Sequence, residues 1–255
     1  MAIALPPTPI AANASHEESD EHAEEHAPLI AETEQASDVG RAPPKADLEH
    51  RYGDNASLPI AFLILLLTWA IVFASNPFAL GWFFYHPVLQ TASLLAFTYG
   101  IVTLQPTAHA DTKAAGLSRH QRAMLLLGFP AITFGVFAMW LNKTVHGAAH
   151  ATTWHGVFGY MTISWMVIHV LIGGGSVWFD GRLLGGSSRA KRAWKYHRLS
   201  GYLLFPMLLF TIHLAGSWSD WVTMSSLYAI RVVAYDIAPL VLFAAILSRV
   251  RYVQA

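Results

Sequence analysis

Six apolar stretches, each close to the roughly 20 residues a helix needs to cross a bilayer, recur along the chain. They run from Leu58 to Ser75, His86 to Gln105, Arg122 to Leu141, His155 to Phe179, His197 to Ser217 and Tyr228 to Leu247. Nothing else in the sequence limits the fold as strongly. A backbone in hydrocarbon must satisfy its own hydrogen bonds, and stretches of this length do so as helices. Turn residues separate them, among them Asn76-Pro77, Gln105-Pro106, Gly185-Gly186 and Ser217 to Ser219. Pro130 and Pro206 fall inside stretches, where kinks are expected in place of breaks. The expected fold is an all-α membrane protein of six transmembrane helices, occupying residues 58–251.

Composition agrees with a membrane class. Of 255 residues, 54% are hydrophobic and 13% charged, about half the charge of an ordinary soluble domain. Residues 1–57 differ from the rest: they are polar, with an acidic run from His16 to His26, and are expected to form a disordered tail. Formal net charge is zero, which gives no reason to expect a nucleic-acid partner. Cysteine is absent, so disulfides and thiolate-held metals or clusters are excluded. Any metal or cofactor must be held by His or oxygen ligands.

Orientation follows from Lys and Arg. Lys113, Arg119 and Arg122 lie around the second loop, and Arg182, Arg189, Lys191, Arg192, Lys195 and Arg198 around the fourth. Arg249 and Arg251 end on the same face, against little more than Lys143 and Arg231 on the other. The positive-inside rule then puts both termini in the cytoplasm.

Histidine supplies the chemistry. Thirteen are present, and four fall at helix ends: His86 opens helix two, His120 precedes helix three, His155 opens helix four and His197 opens helix five. Consecutive helices start on opposite faces, so His86 and His155 share the outer side and His120 and His197 the cytoplasmic side. A lone helix-end His ordinarily makes an interfacial hydrogen bond. Four at matching ends of successive helices point instead to two bis-histidine haems in a central four-helix bundle, with no open position on either iron. Gly156, Gly159 and Gly201 leave room near His155 and His197 for a flat macrocycle. His169 and His213 offer a rival set. His155 and His169 are spaced to share a helix face, but His197 and His213, sixteen residues apart, lie roughly 160° around theirs. They are read as supporting residues. A His-lined metal transporter is the alternative from another class, although Asp236 is the only carboxylate clearly within a stretch.

The strings Tyr85-His86-Pro87-Val88-Leu89, Ser118-Arg119-His120, Thr153-Trp154-His155-Gly156 and Tyr196-His197-Arg198-Leu199-Ser200-Gly201-Tyr202 resemble the cytochrome b561 family, in particular its short members made of the six-helix domain alone. The resemblance runs from about Leu58 to Arg251. It implies two haem b groups, paired His86/His155 and His120/His197. It also implies electron transfer from cytoplasmic ascorbate to monodehydroascorbate or ferric iron on the other side, and allows a homodimer. The cytoplasmic end of helix two, Tyr99 to Gln105, lacks the Arg-containing string that ascorbate-using members often carry, so a di-haem cytochrome b with another donor stays open.

Arg119, Arg122, Lys195 and Arg198 surround the inner pair and suit an anionic donor; plain topology or lipid headgroup contact would explain them equally. Lys143, His146 and His150 form a polar stretch before helix four that suits an acceptor, the two histidines sharing one side if helical. In the tail, Glu25-His26-Ala27-Pro28-Leu29-Ile30 looks like an acidic dileucine signal for endosomes or vacuoles.

Overall fold

The computed structural model describes the backbone of residues 45–104 and 110–251, and the side chains of 56–104, 114–186 and 188–248. The tail to residue 44, with its dileucine motif, and the Gln105-Pro106 turn lie outside the described residues. The unit that carries the site is Glu49–Ala255. Every regular element described is helical.

Helix α1 is Lys45–Ala74, beginning inside the expected tail. A left-handed Asn76 (φ 54°) with Pro77 at the first helical position turns the chain through short helical segments, Pro77–Leu80 and Gly81–Phe84, into α2, Tyr85–Val102. Helix α3 comprises Ala110–Arg122, a π segment Ala123–Gly128 and Phe129–Val145. Helix α4 is Trp154–Val177, with Thr153 accepting the Gly156 N–H at its start. A 3-10 stretch, Trp178–Leu184, leads through Gly185 and Gly186 (φ 86° and 96°) to α5, Ser187–Trp218. Helix α6 comprises Tyr228–Arg231, a π segment Val232–Ile237 and Ala238–Arg251.

Both π segments end two residues before a proline, Pro130 and Pro239. Proline has no N–H and its ring crowds the carbonyl a turn earlier, and a wider turn relieves that clash. The distortion expected at Pro130 therefore takes the form of a π bulge. Helix α5 runs through Pro206 without interruption.

Five helical stretches among the described residues are long and apolar enough to cross a membrane: Ala56–Ala74, Ala114–Val145, Trp154–Leu184, Ser188–Trp218 and Tyr228–Ser248. Six were expected, and α2 is the one not among them. Its 18 residues, about 27 Å of helix, include His86, Gln90, Thr91, Ser93 and Thr98, which dilute its apolarity. Those groups are satisfied within the protein. The Gln90 amide donates to the Ile132 carbonyl (3.1 Å), the Thr98 hydroxyl to Leu94 (2.8 Å), and Trp69 Nε1 to Thr91 Oγ1 (3.2 Å).

One core draws on all six helices, through residues such as Ile64, Leu94, Ile132, Met166, Leu208 and Leu242. The large apolar side chains left outside, such as Leu126, Leu171 and Leu240, are each 68% exposed, as surfaces facing acyl chains are. Polar contacts tie neighbours together: Thr68 with Tyr235 (3.0 Å) joins α1 to α6, and Thr162 with Thr211 (3.2 Å) joins α4 to α5.

Candidate functional site

The four helix-end histidines come from four different helices, and each is the second residue of its helix or lies within it. His86 and His155 stand at the second positions of α2 and α4, as expected. His120 and His197 do not mark helix starts, because α3 begins at Ala110 and α5 at Ser187. Polar, charged residues continue both helices past the apolar stretch, so the sequence boundary follows the hydrocarbon and not the helix end.

Each of the four rings makes the same kind of bond. Nδ1 of His86 meets the Gly135 carbonyl at 3.0 Å, His120 that of Gly100 at 3.1 Å, His155 that of Thr211 at 3.0 Å and His197 that of His169 at 3.0 Å. A carbonyl only accepts, so Nδ1 carries the proton in every case. In a neutral imidazole this leaves Nε2 unprotonated and free to bind a metal. Proximity of the rings then groups the bonded pairs into two layers. One contains His86, Gly135, His155 and Thr211; the other contains Gly100, His120, His169 and His197. Along α2 the layers are separated by about 21 Å, from His86 to Gly100.

In the first layer the His86 and His155 rings meet edge to face, with centroids 5.8 Å and planes 72° apart. Two imidazoles bound to opposite sides of one ion through bonds of about 2 Å have ring centres roughly 6 Å apart. Gly159 opens space here: a Cβ on it would meet nothing nearer than a Thr211 methyl at 3.9 Å. Gly156 lies against Ala151 instead.

In the second layer His120 lies within electrostatic range of both His197 and His169. The His169 ring stacks on His197 at 3.8 Å and 19°. Stacked rings that close cannot hold one ion from opposite sides. His169 instead supports His197, by its ring and by its carbonyl. Its own Nδ1 contacts Ser200 Oγ (3.1 Å), which also accepts from Trp165 Nε1 (2.8 Å). Gly201 makes room for His169, a Cβ there falling 3.3 Å from the ring. His213 is engaged elsewhere: Nδ1 donates to Asp236 Oδ1 at 2.8 Å, and Ser217 donates to the same carboxylate oxygen. These bonds between α5 and α6 were not read from the sequence. An i, i+4 His–Ser pair with one intramembrane Asp was the signal for them.

Of the polar stretch, Lys143 lies in the last turn of α3 while His146 and His150 fall in the loop 146–153, so the helical-face argument for the two histidines fails. His146 Nδ1 donates to the Asn142 carbonyl (2.7 Å) at the end of α3. His150 stacks on Trp140 (6.2 Å, 21°) and contacts Thr144 (3.4 Å) and Tyr160 (3.3 Å), while Lys143 Nζ donates to the Ala149 carbonyl (2.9 Å). Lys143 is within electrostatic range of His155. On the opposite face, Lys195 and Arg198 are exposed on α5 beside His197, whereas Arg119 and Arg122 border a groove between α1, α2 and α3.

Among known protein families, the model described as eukaryotic cytochrome b561 matches residues 85–223, the segment that contains all four histidines. Neither the curated proteins nor the solved structures gave a match.

Proposed function

The chain belongs to the cytochrome b561 family, haem b proteins that carry electrons across a membrane, and from that premise we propose that it holds two haems, ligated by His86 with His155 and by His120 with His197. The observation that carries this reading is the set of four Nδ1–H to carbonyl bonds, which presents Nε2 of each ring as a ready ligand. The ring spacing of His86 and His155 fits an axial pair. Bound haem would supply the one-electron chemistry.

The protein's own groups do the rest. The carbonyl bonds hold each imidazole in one tautomer and one orientation, and a hydrogen-bonded Nδ1–H raises the basicity of the ligating nitrogen. Lys195 and Arg198 concentrate an anionic donor, ascorbate in our reading, at the cytoplasmic face. On the other face Lys143, His146 and His150 receive monodehydroascorbate or a ferric chelate, His150 being braced by Trp140 and Tyr160. A donor other than ascorbate is the second reading, favoured by one feature: the α2 end, Tyr99 to Leu104, contains no basic residue.

Purified protein titrated with ascorbate, with NADH and a quinol as comparisons, tests this directly. Two haems per chain and rapid b-type reduction by ascorbate alone are expected. A single haem per chain would remove one of the two ligand pairs, and faster reduction by the quinol would replace the donor.

A further inference from the structure

An open apolar groove of about 1060 Å3 runs between α1, α2 and α3, walled by Phe62, Leu95, Tyr99 and Leu126, with Arg119 and Arg122 at one end. Its α3 side extends from Arg119 to Ala131, about 18 Å of helix, close to the roughly 15 Å of hydrocarbon in one leaflet. Arg122 opens the apolar stretch of α3 and Arg119 precedes it by about one turn, which puts both at the boundary where side chains reach headgroups. Arg122 Nε donates to the Ser118 carbonyl (3.4 Å), leaving its terminal N–H groups for another acceptor. Among the described residues neither guanidinium pairs with a carboxylate; the one ion pair there is His213 with Asp236.

We propose that this groove holds one anionic phospholipid, its acyl chains along Phe62, Leu95 and Leu126 and its phosphate on Arg119 and Arg122. Two requirements meet here. The wall matches an acyl chain of one leaflet, and two planar cations at its polar end match a phosphate. A soluble anion would use the arginines and leave the wall unfilled. The basic face is also the one expected to meet the anionic cytoplasmic leaflet. The site stands whichever molecule donates electrons.

The test is native mass spectrometry of the full chain in detergent, offered phosphatidylserine or phosphatidylcholine at equal concentration. The wild type should retain one phosphatidylserine in preference. R119Q/R122Q should weaken that retention roughly tenfold or more. Ala96→Trp, which fills the wall without removing charge, should do the same. K191Q/R192Q, which removes two exposed charges of the same face on α5, should retain the lipid. Equal retention of both lipids, or equal loss in K191Q/R192Q, would overturn the proposal. So would normal retention in Ala96→Trp, or displacement of the lipid by inorganic phosphate or ascorbate, which would identify a soluble-anion site.

Discussion

A histidine in a membrane protein is defined by what its second nitrogen does. Here the four proposed ligands each commit Nδ1 to a carbonyl alone, while His169 meets a hydroxyl and His213 Nδ1 is shared between the Asp236 carboxylate at 2.8 Å and the Tyr235 carbonyl at 3.2 Å. Substitution should separate these classes. His86→Ala and His155→Ala should each remove mainly one haem, and His120→Ala and His197→Ala mainly the other, because loss of either axial ligand leaves iron in a pocket built for two. His169→Ala should keep both haems and shift the potential of the one beside His197, since a stacked support is lost. His213→Ala should keep both. Haem-to-protein ratios and redox titrations of the six variants provide the measurement, and haem loss in His169→Ala with full content in His120→Ala would transfer the ligand role. At the donor face, K195Q/R198Q should slow ascorbate reduction severalfold at low salt. The difference should shrink above 0.1 M, where exposed charges are screened within about 10 Å. Stopped-flow rates across a salt series would show it.

At the scale of the helix, small residues decide how closely neighbours approach. Gly216 is the tightest case: a Cβ there would fall 1.8 Å from the Tyr235 ring, so α5 and α6 touch through a glycine and a face of tyrosine. Tyr235 is itself fixed, with its hydroxyl on Thr68 of α1. Gly216→Ala should therefore force α5 and α6 apart and cost about 1–3 kcal/mol, as overpacking does. A lowered Tm in detergent would report it, and Tyr235→Ala in the same chain should return part of the loss because the two changes share one contact. A Gly216→Ala protein with the wild-type Tm would mean the interface has slack that the geometry does not show. The π segments belong to the same scale. Each places its bulge one turn ahead of a proline, which lets α3 and α6 continue across the span.

For the whole molecule, topology turns on α2. With α2 as a crossing the chain passes six times and both termini share one side of the membrane; without it five helices would separate them. Its buried, internally bonded polar groups favour a crossing, because hydrocarbon penalises unsatisfied groups and these are satisfied. Tags at both termini should be protected from protease in sealed right-side-out vesicles, consistent with the Lys and Arg bias. Digestion of one tag and not the other would take α2 out of the membrane and reverse the assignment of donor and acceptor faces.

Hydrophobic length is a one-dimensional quantity, so the sequence alone determined the apolar stretches, the all-helical class and the order of the four histidines, and the strings around those histidines identified the family. His86 and His155 were legible because apolar onset and helix onset coincide there. His120 and His197 were misplaced relative to their helices because charged residues of good helix propensity carry a helix beyond the hydrocarbon, where hydropathy no longer marks it. Only the tertiary structure decided which carbonyl each Nδ1 meets, since Gly135, Gly100 and Thr211 lie on other helices, 20 to 56 residues away in the chain. The same holds for His169, whose spacing from His155 suggested a shared ligand face. Its ring stacks on His197, from a neighbouring helix, a contact that helical periodicity within one segment cannot express.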